Sequence, residues 1–420
     1  MVLCPGSCRW SERRFSWVTE RRVAASLAVL FLLYTSFSLT LYTTTCRHQP
    51  RQISHRTRTL VTRNRSAPKR VLAWTPLPES EKTWDDIFYR LMSHQCEVNM
   101  CEVVYDQRLY NTADALVFHP MDTTFPLTRT PDQVWIFFSQ DPPKFMLEAF
   151  RDNLKKERGF FNWTMTYRRD SDVVVPYGRV IPRTQPYPLL PARDYWASKS
   201  SDKLVAHMAI CNPLSEGALF VQKFTKYVKV DTYGTCGVFK CNLSLQVRRT
   251  VFMEECNEEI ERYMFHLSTE SWICDDYVTE KLYKILRLNV IPVVLGGADY
   301  TTFAPPHSYI NAADFPSLES LATYLNMVAS NSTLYNKYFE WKAHYQVEMA
   351  HPLSPMVCDL CAKLHNHTHV SQASTETRVR EAAMNQVLGR DHTGTYPDIY
   401  GWFVNGSACR TWQAATHAND

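Results

Sequence analysis

From residue 70 onward the apolar positions of the chain fall into short blocks: "RVLAWT" (70–75), "ADALVFH" (113–119), "QVWIFFS" (133–139), "KLVAHMAIC" (203–211), "YVKVDTYG" (227–234), "YMFHLS" (263–268) and "NVIPVVLGG" (289–297). Blocks this short, bounded by Pro, Gly and Asp, read as strands covered on both faces. With helical stretches between them they predict an α/β fold built on parallel sheet. The helical period is clearest after the sixth block, in "DDYVTEKLYKILRL". There Val278, Leu282, Ile285 and Leu286 form one apolar stripe, while Tyr277, Glu280, Lys281 and Lys284 share the opposite face. Asp275 or Asp276 reads as the N-cap, and the helix is expected to run to Asn289.

A different pattern precedes these blocks. Val23 to Tyr42, "VAASLAVLFLLYTSFSLTLY", is uncharged and long enough to cross a hydrocarbon core of about 30 Å as a helix. It is read as a transmembrane signal-anchor over 23–42, with a cytoplasmic tail of 1–22 ending at Arg21 and Arg22. A cleaved signal peptide, the alternative, usually has a shorter apolar region. Residues 43–70 are rich in Arg, Thr and Ser with few apolar side chains, the composition of a stem. Arg47, Arg51 and Arg56 follow the span and weaken the positive-inside contrast, so orientation must come from elsewhere. Six acceptor sequons lie beyond the span, at Asn64, Asn162, Asn242, Asn331, Asn366 and Asn405, and only a lumenal or extracellular body could use them.

Composition changes the picture in two places. The net charge is +4, but 13 of the 46 Lys and Arg and only two of the 42 Asp and Glu fall within residues 1–70, so the body carries 33 basic against 40 acidic side chains. A mildly acidic body excludes nucleic acid as a partner, because phosphate neutralisation needs a basic face. Of 13 cysteines, Cys4, Cys8 and Cys46 lie in or beside the anchor, leaving ten in the body. An even number in an oxidising lumen favours disulfides over a zinc site built from Cys358, Cys361, Cys96 and Cys101. No G-x-G-x-x-G or P-loop occurs.

The junction "STESWICDDYVTEKL" (268–282) carries the candidate chemistry. A helix N-terminus at the carboxyl end of a parallel strand presents free N–H groups and partial positive charge, which suits a diphosphate. Lys281 would meet phosphate and Glu280 paired ribose hydroxyls, although a plain i,i+4 surface pattern accounts for the same residues. Asp170-Ser171-Asp172 spells a D-x-D, the device by which some transferases hold Mn²⁺; it is read as structural, with a metal-dependent transferase as a minor alternative.

Together, "DYVTEKL", "VIPVVLGGADY" (290–300), "PPHSYINAADFPSLESLATYL" (305–325), "YNKYFEWK" (335–342) and "FFNWTMTYRRDSDVVVPYG" (160–178) resemble the eukaryotic α1,3-fucosyltransferases, in a divergent, invertebrate-like form, over about 71–365. The resemblance implies a glycosyltransferase-B fold of two Rossmann-like domains: an acceptor-side domain over 71–200, a GDP-fucose-binding domain over 201–350, and a C-terminal segment, 351–420, packing back on the first. It implies a single-pass type II Golgi membrane protein whose lumenal body transfers fucose from GDP-fucose, with inversion, to GlcNAc in glycoprotein or glycolipid glycans. No cofactor is required on this reading, and Mn or Mg is at most stimulatory. Carried over residue by residue, the donor contacts fall on Tyr277, Glu280 and Lys281, with Glu270 retained before them, and the general base falls on Asp141 in "FFSQDPP". The family's C-terminal cysteine pair implies that Cys358 and Cys361 bridge to the N-terminal domain, with Cys96 and Cys101 as partners.

Four positions depart from the family pattern. Asp141 stands for Glu, Ser271 for Asn, Trp272 for Ser, and Gly217 for a phosphate-binding Arg, with no Arg anywhere from Asp194 to Val247. Lys223 or Lys226 is the expected substitute cation. The alternative function is therefore a weakened pseudoenzyme that binds a glycan or a partner on the same scaffold.

Overall fold

The computed structural model describes residues 68–412 except 75–95, 121–123, 131, 145–152, 186–192, 210–213, 235, 240–255, 350–356, 368–382 and several positions from 384 to 393. The tail, the anchor at 23–42, most of the stem, and the sequons at Asn64 and Asn242 lie outside the described residues. Among the described residues no helix is long and apolar enough to cross a membrane.

The first sheet contains β1 (Lys69–Ala73), β2 (Cys101–Val104), β3 (Ala115–Phe118), β4 (Val134–Ser139), β5 (Trp163–Thr166) and β6 (Val173–Val174). All are parallel, in the order β2-β1-β3-β4-β5-β6. β3, β4 and β5 are buried along their whole length, as runs covered on both faces must be. β1 begins inside the segment read as stem: Lys69 pairs with Asp114 at 2.8 Å, and the Arg70 amide donates to the same carboxylate, so two charged residues open a buried strand.

After β7 (Gly178–Pro182) the chain builds a second parallel sheet from β8 (Val205–Met208), β9 (Val230–Tyr233), β10 (Phe265–Thr269), β11 (Ile291–Leu295) and β12 (Ile310–Asn311), ordered β12-β11-β10-β8-β9. α1 (Glu216–Phe224) links β8 to β9, and α2 (Glu280–Arg287) links β10 to β11. α2 buries Leu282, Ile285 and Leu286, each worth about 1.5–3 kcal/mol of apolar burial. It starts later than the sequence predicts. Thr279, not Asp275 or Asp276, is the N-cap, because its hydroxyl accepts from the Lys281 amide while Asp276 takes a left-handed φ of 60° that no helix continues.

The chain then returns. β13 (Tyr345–Met349) pairs antiparallel with β7, and α5 (Val357–Asn366), which follows α3 (Leu318–Ala329) and α4 (Ser332–Lys337), packs on the first sheet. Two disulfides fasten it there, Cys96–Cys358 and Cys101–Cys361, which consumes all four sulfurs of the zinc alternative. A third, Cys274–Cys409, ties the β10–α2 junction to the last described segment, whose Tyr396, Ile399 and Phe403 are buried in the first core and whose Trp412 is buried in the second. Cys236 and Cys256 are also disulfide-bonded.

Because Cys274 and Cys409 are 135 residues apart in sequence, their bond removes much loop freedom from the unfolded chain. Replacing both by Ser is expected to cost about 2–5 kcal/mol. Chemical denaturation of the two proteins checks this; coincident midpoints would refute it.

Candidate active site

Parallel sheets gather their chemistry at the carboxyl ends of the strands. Here that edge of the second sheet is organised by a buried carboxylate. Glu270, one residue past β10 and 1% exposed, accepts from the Thr279 amide at 2.7 Å and from its hydroxyl at 2.8 Å. It therefore anchors the cap of α2 from below instead of facing a ligand directly. Burial pushes its carboxyl up to about 7, against the pull of Lys281 and of the two Thr279 hydrogen bonds.

Lys281, in the first turn of α2, lies 4.0 Å from Glu270. It donates to the Thr269 carbonyl at 2.8 Å and, more weakly, to Ser271 Oγ at 3.4 Å. An ammonium has three donors, so one remains for an anion at the helix end. Glu280, partly exposed in the same turn, stands beside it. Tyr277 is not on the helix face where the periodicity puts it; it is buried below the junction, edge-on between Tyr167 at 5.1 Å and Tyr177 at 6.2 Å. The Tyr177 hydroxyl in turn donates to the Gln140 carbonyl at 2.9 Å.

That last contact brings in the first sheet. Asp141 lies two residues past the end of β4, and its carbonyl accepts from Ser139 Oγ at 2.9 Å. Burial first, then the charges of Asp141, Glu280 and Glu270, hold the Tyr177 phenol well above its usual range; Tyr277 responds to burial, Tyr177 and the same three carboxylates. Thus the charges of Asp141, Glu270 and Glu280 act on one pair of phenols, Tyr177 and Tyr277, that links the end of β4 to the start of α2, with Lys281 beside Glu270.

Lys223 and Lys226 do not join them. α1 runs away from the strand ends, and Lys223, in its last turn over the Trp412 ring, is about 10 Å down the axis from Glu216. Gly217 explains why no side chain replaces the absent Arg: a Cβ there would lie 2.6 Å from the Glu270 carbonyl and 2.7 Å from Thr269 Oγ1. The cation at this end of α1 is one that sequence reading missed. Lys144 binds Glu216 at 3.0 Å and sits 4.4 Å from the centre of the Trp272 ring. Its signal was its place three residues after Asp141 in "DPPK". Lys144 and Lys281 thus flank the turn Thr269–Trp272 from two sides.

Other expectations resolve locally. Asp172, 3% exposed, accepts from the Thr164 amide and the Tyr396 hydroxyl and pairs with Lys363 and Arg390, whereas Asp170 pairs with Arg168; the D-x-D carboxylates serve separate structural contacts. The Asn162 side chain accepts from the Trp135 amide and from Arg129, so it is a strand tie within the first sheet. Asn331, Asn366 and Asn405 are exposed.

A carboxyl raised from an ordinary 4.5 to about 7 contributes stability below pH 4.5 that is lost as pH rises through 7, about 3 kcal/mol in all. Glu270→Gln stays neutral and keeps one acceptor. Between pH 5 and 8 the wild type is expected to lose about 2–3 kcal/mol relative to this variant in denaturant unfolding. Parallel pH profiles would show that Glu270 titrates as a surface acid.

Comparison with known proteins agrees in both halves of the body. The model of the N-terminal region of fucosyltransferases matches residues 66–178, and that of the C-terminal region of glycosyltransferase family 10 (fucosyltransferase) matches residues 197–379. The chain is 34% identical over 330 residues to α-(1,3)-fucosyltransferase C of Drosophila melanogaster, covering 70% of this chain and 73% of that protein. It is 30% identical over 295 residues to mouse 4-galactosyl-N-acetylglucosaminide 3-α-L-fucosyltransferase 9, covering 66% and 75%. A crystal structure of an α1,3-fucosyltransferase with GDP-fucose aligns over 72% of this chain and 91% of that one, with TM-score 0.46 and 15% identity. With both regional models matched in order and a relative above 30% identity along most of its length, the chain belongs to glycosyltransferase family 10, the fucosyltransferases.

Proposed function

We propose that this protein is an α1,3-fucosyltransferase that moves fucose, with inversion, from GDP-fucose to a GlcNAc of glycoprotein or glycolipid glycans. The reading includes a type II Golgi membrane protein with a lumenal glycosyltransferase-B body, divided at about 200 and 350. The observation that carries it is the Tyr177–Tyr277 pair, which ties Gln140, the residue before Asp141, to the turn that opens α2, in a chain of this family. In the reaction the acceptor oxygen forms a bond to C1 of fucose as the bond from C1 to the diphosphate oxygen breaks. Asp141 takes the acceptor's hydroxyl proton. Lys281, the positive end of the α2 dipole, and Lys144 from the other side stabilise the departing GDP, while Glu280 accepts from ribose hydroxyls. Because Asp carries its carboxylate about 1.5 Å nearer the backbone than Glu, the acceptor must bind correspondingly closer to β4. A glycan-binding pseudoenzyme is the weaker reading, since the relatives that this chain matches along most of their length are named fucosyltransferases.

Calorimetric titration of the full-length protein with GDP tests the donor site. Lys281→Ala is expected to weaken binding about 10- to 150-fold, the worth of a charge-assisted contact, and Lys144→Ala by about tenfold. Arg287→Ala, at the exposed far end of the same helix, is expected to bind as wild type does. Wild-type affinity in Lys281→Ala would mean that this helix end holds no nucleotide and would leave the pseudoenzyme reading.

A further inference from the structure

Beyond the tyrosine bridge lies a cleft of about 450 Å³, lined by Arg168, Arg169, Asp170, Asp275, Asp276 and Gly406. Its walls come from three distant stretches: the turn after β5, the turn after β10, and the C-terminal segment. They are fastened to one another. Cys274–Cys409 joins the second wall to the third. Ser407, fully buried, accepts from Arg168 and from the Tyr167 hydroxyl, and its carbonyl accepts from the Asp275 amide. Gly406 lets the guanidinium of Arg168 approach, since a Cβ there would lie 2.8 Å from it and closer still to the Trp402 carbonyl. Asp276 holds the first wall to the second by accepting from the Arg169 amide.

The wall chemistry selects the kind of occupant. Asp170 is paired with Arg168 and Asp275 with Arg410, yet both carboxylates stay about half exposed and keep acceptor oxygens open to the cleft. The exposed Arg169 guanidinium makes no ion pair with any described residue and only edges over Phe303 at 5.9 Å. Donors and acceptors therefore alternate around a wall of nearly balanced charge. A wall of one sign would select an ion; alternating signs satisfy hydroxyl groups, each of which donates and accepts. The volume lies in the range of small-ligand sites.

We infer that this cleft is a subsite for a neutral oligosaccharide, holding the part of the acceptor glycan beyond the sugar that receives fucose. The inference rests on the proposed fucosyl transfer for the identity of the glycan. Position supports it: β4 and β5 are neighbours with Ser139 opposite Thr166, so Arg168 of the cleft and Asp141 each lie two residues past adjoining strand ends, and neither Lys281 nor Glu280 lines the cleft. The third wall lies past residue 379, outside the stretch matched by the family models. Acceptor length preference would then depend on the C-terminal segment.

The test is calorimetry on full-length protein with saturating GDP, using two probes: an N-linked oligosaccharide on a short peptide, and free N,N′-diacetylchitobiose. Wild type is expected to bind the longer probe about tenfold more tightly, and Arg169→Ala and Arg169→Glu to erase that advantage while leaving chitobiose and GDP binding unchanged. Arg169 is exposed and forms no ion pair with any described residue, so neither change removes a described salt bridge, and Arg169→Ala adds no charge beside Asp170, Asp275 and Asp276. Equal affinity for the two probes in wild type, or an advantage that survives Arg169→Glu, would overturn the subsite. A fucose-transfer assay on the same samples separates the two readings: intact, Arg169-dependent glycan binding without transfer would overturn the proposed reaction and leave the cleft standing.

Discussion

One buried carboxylate sets the geometry on which the site depends. Glu270 sits between the end of β10 and the start of α2, and its hydrogen bonds to Thr279 decide where the helix begins. Move the start by one residue and each side chain turns about 100° around the axis; Lys281 would leave the Thr269 carbonyl and Glu280 would leave the strand ends. Burying this acid is costly, as its raised titration shows, and the cost is offset by two short hydrogen bonds and a lysine 4.0 Å away. The arrangement trades stability for position, which is common where a site needs a fixed helix end.

The rest of the molecule protects that position. Gly217 brings α1 against the Thr269–Glu270 turn from one side, and the Glu216 amide donates to the Ser271 carbonyl. The C-terminal segment closes the other side: Arg410 bonds to the Ile273 carbonyl, Cys409 to Cys274, and the Trp412 amide to Glu216. A turn that carries Glu270, Ser271, Trp272 and Asp276 is thereby held from both flanks, although it has little regular structure of its own.

How much of this was legible follows from where the information resides. The seven apolar blocks are strands because a strand covered on both faces must be apolar along its length, a local and strong signal. β2, β5, β6, β7, β12 and β13 escaped it: all but β5 are short or half-buried pieces whose pairing depends on distant partners, and β5, though fully buried, interleaves two threonines with Trp163 and Met165. The α2 stripe was legible, but its first residue was not. Asp275 and Asp276 are good caps by type, and only the buried Glu270, nine residues before Thr279, makes threonine the cap. Tyr277 was misplaced on the helix for the same reason. Lys223 and Lys226 were chosen for proximity in sequence to the missing Arg, whereas the direction of α1 removes both from the strand ends.

The exchange at Gly217 and Lys144 shows why a departure from a family pattern is a poor guide to loss of chemistry when taken one residue at a time. Losing the Arg lets α1 lie against the turn, since its side chain could not occupy the 2.6 Å gap to the Glu270 carbonyl. The closer helix carries Glu216 to where it can bind Lys144, and Trp272, in place of a small Ser, provides the ring over which that lysine rests. Gly217, Trp272 and Lys144 thus act together: the glycine admits the helix against the turn, the helix brings Glu216 to the lysine, and the indole seats it. The cation reaches the turn from the first sheet, so its position depends on how closely the strand ends of the two sheets approach. In the proposed reaction, donor binding is coupled to the contact between the sheets, because Lys144 follows the first sheet's β4 and Lys281 the second sheet's β10.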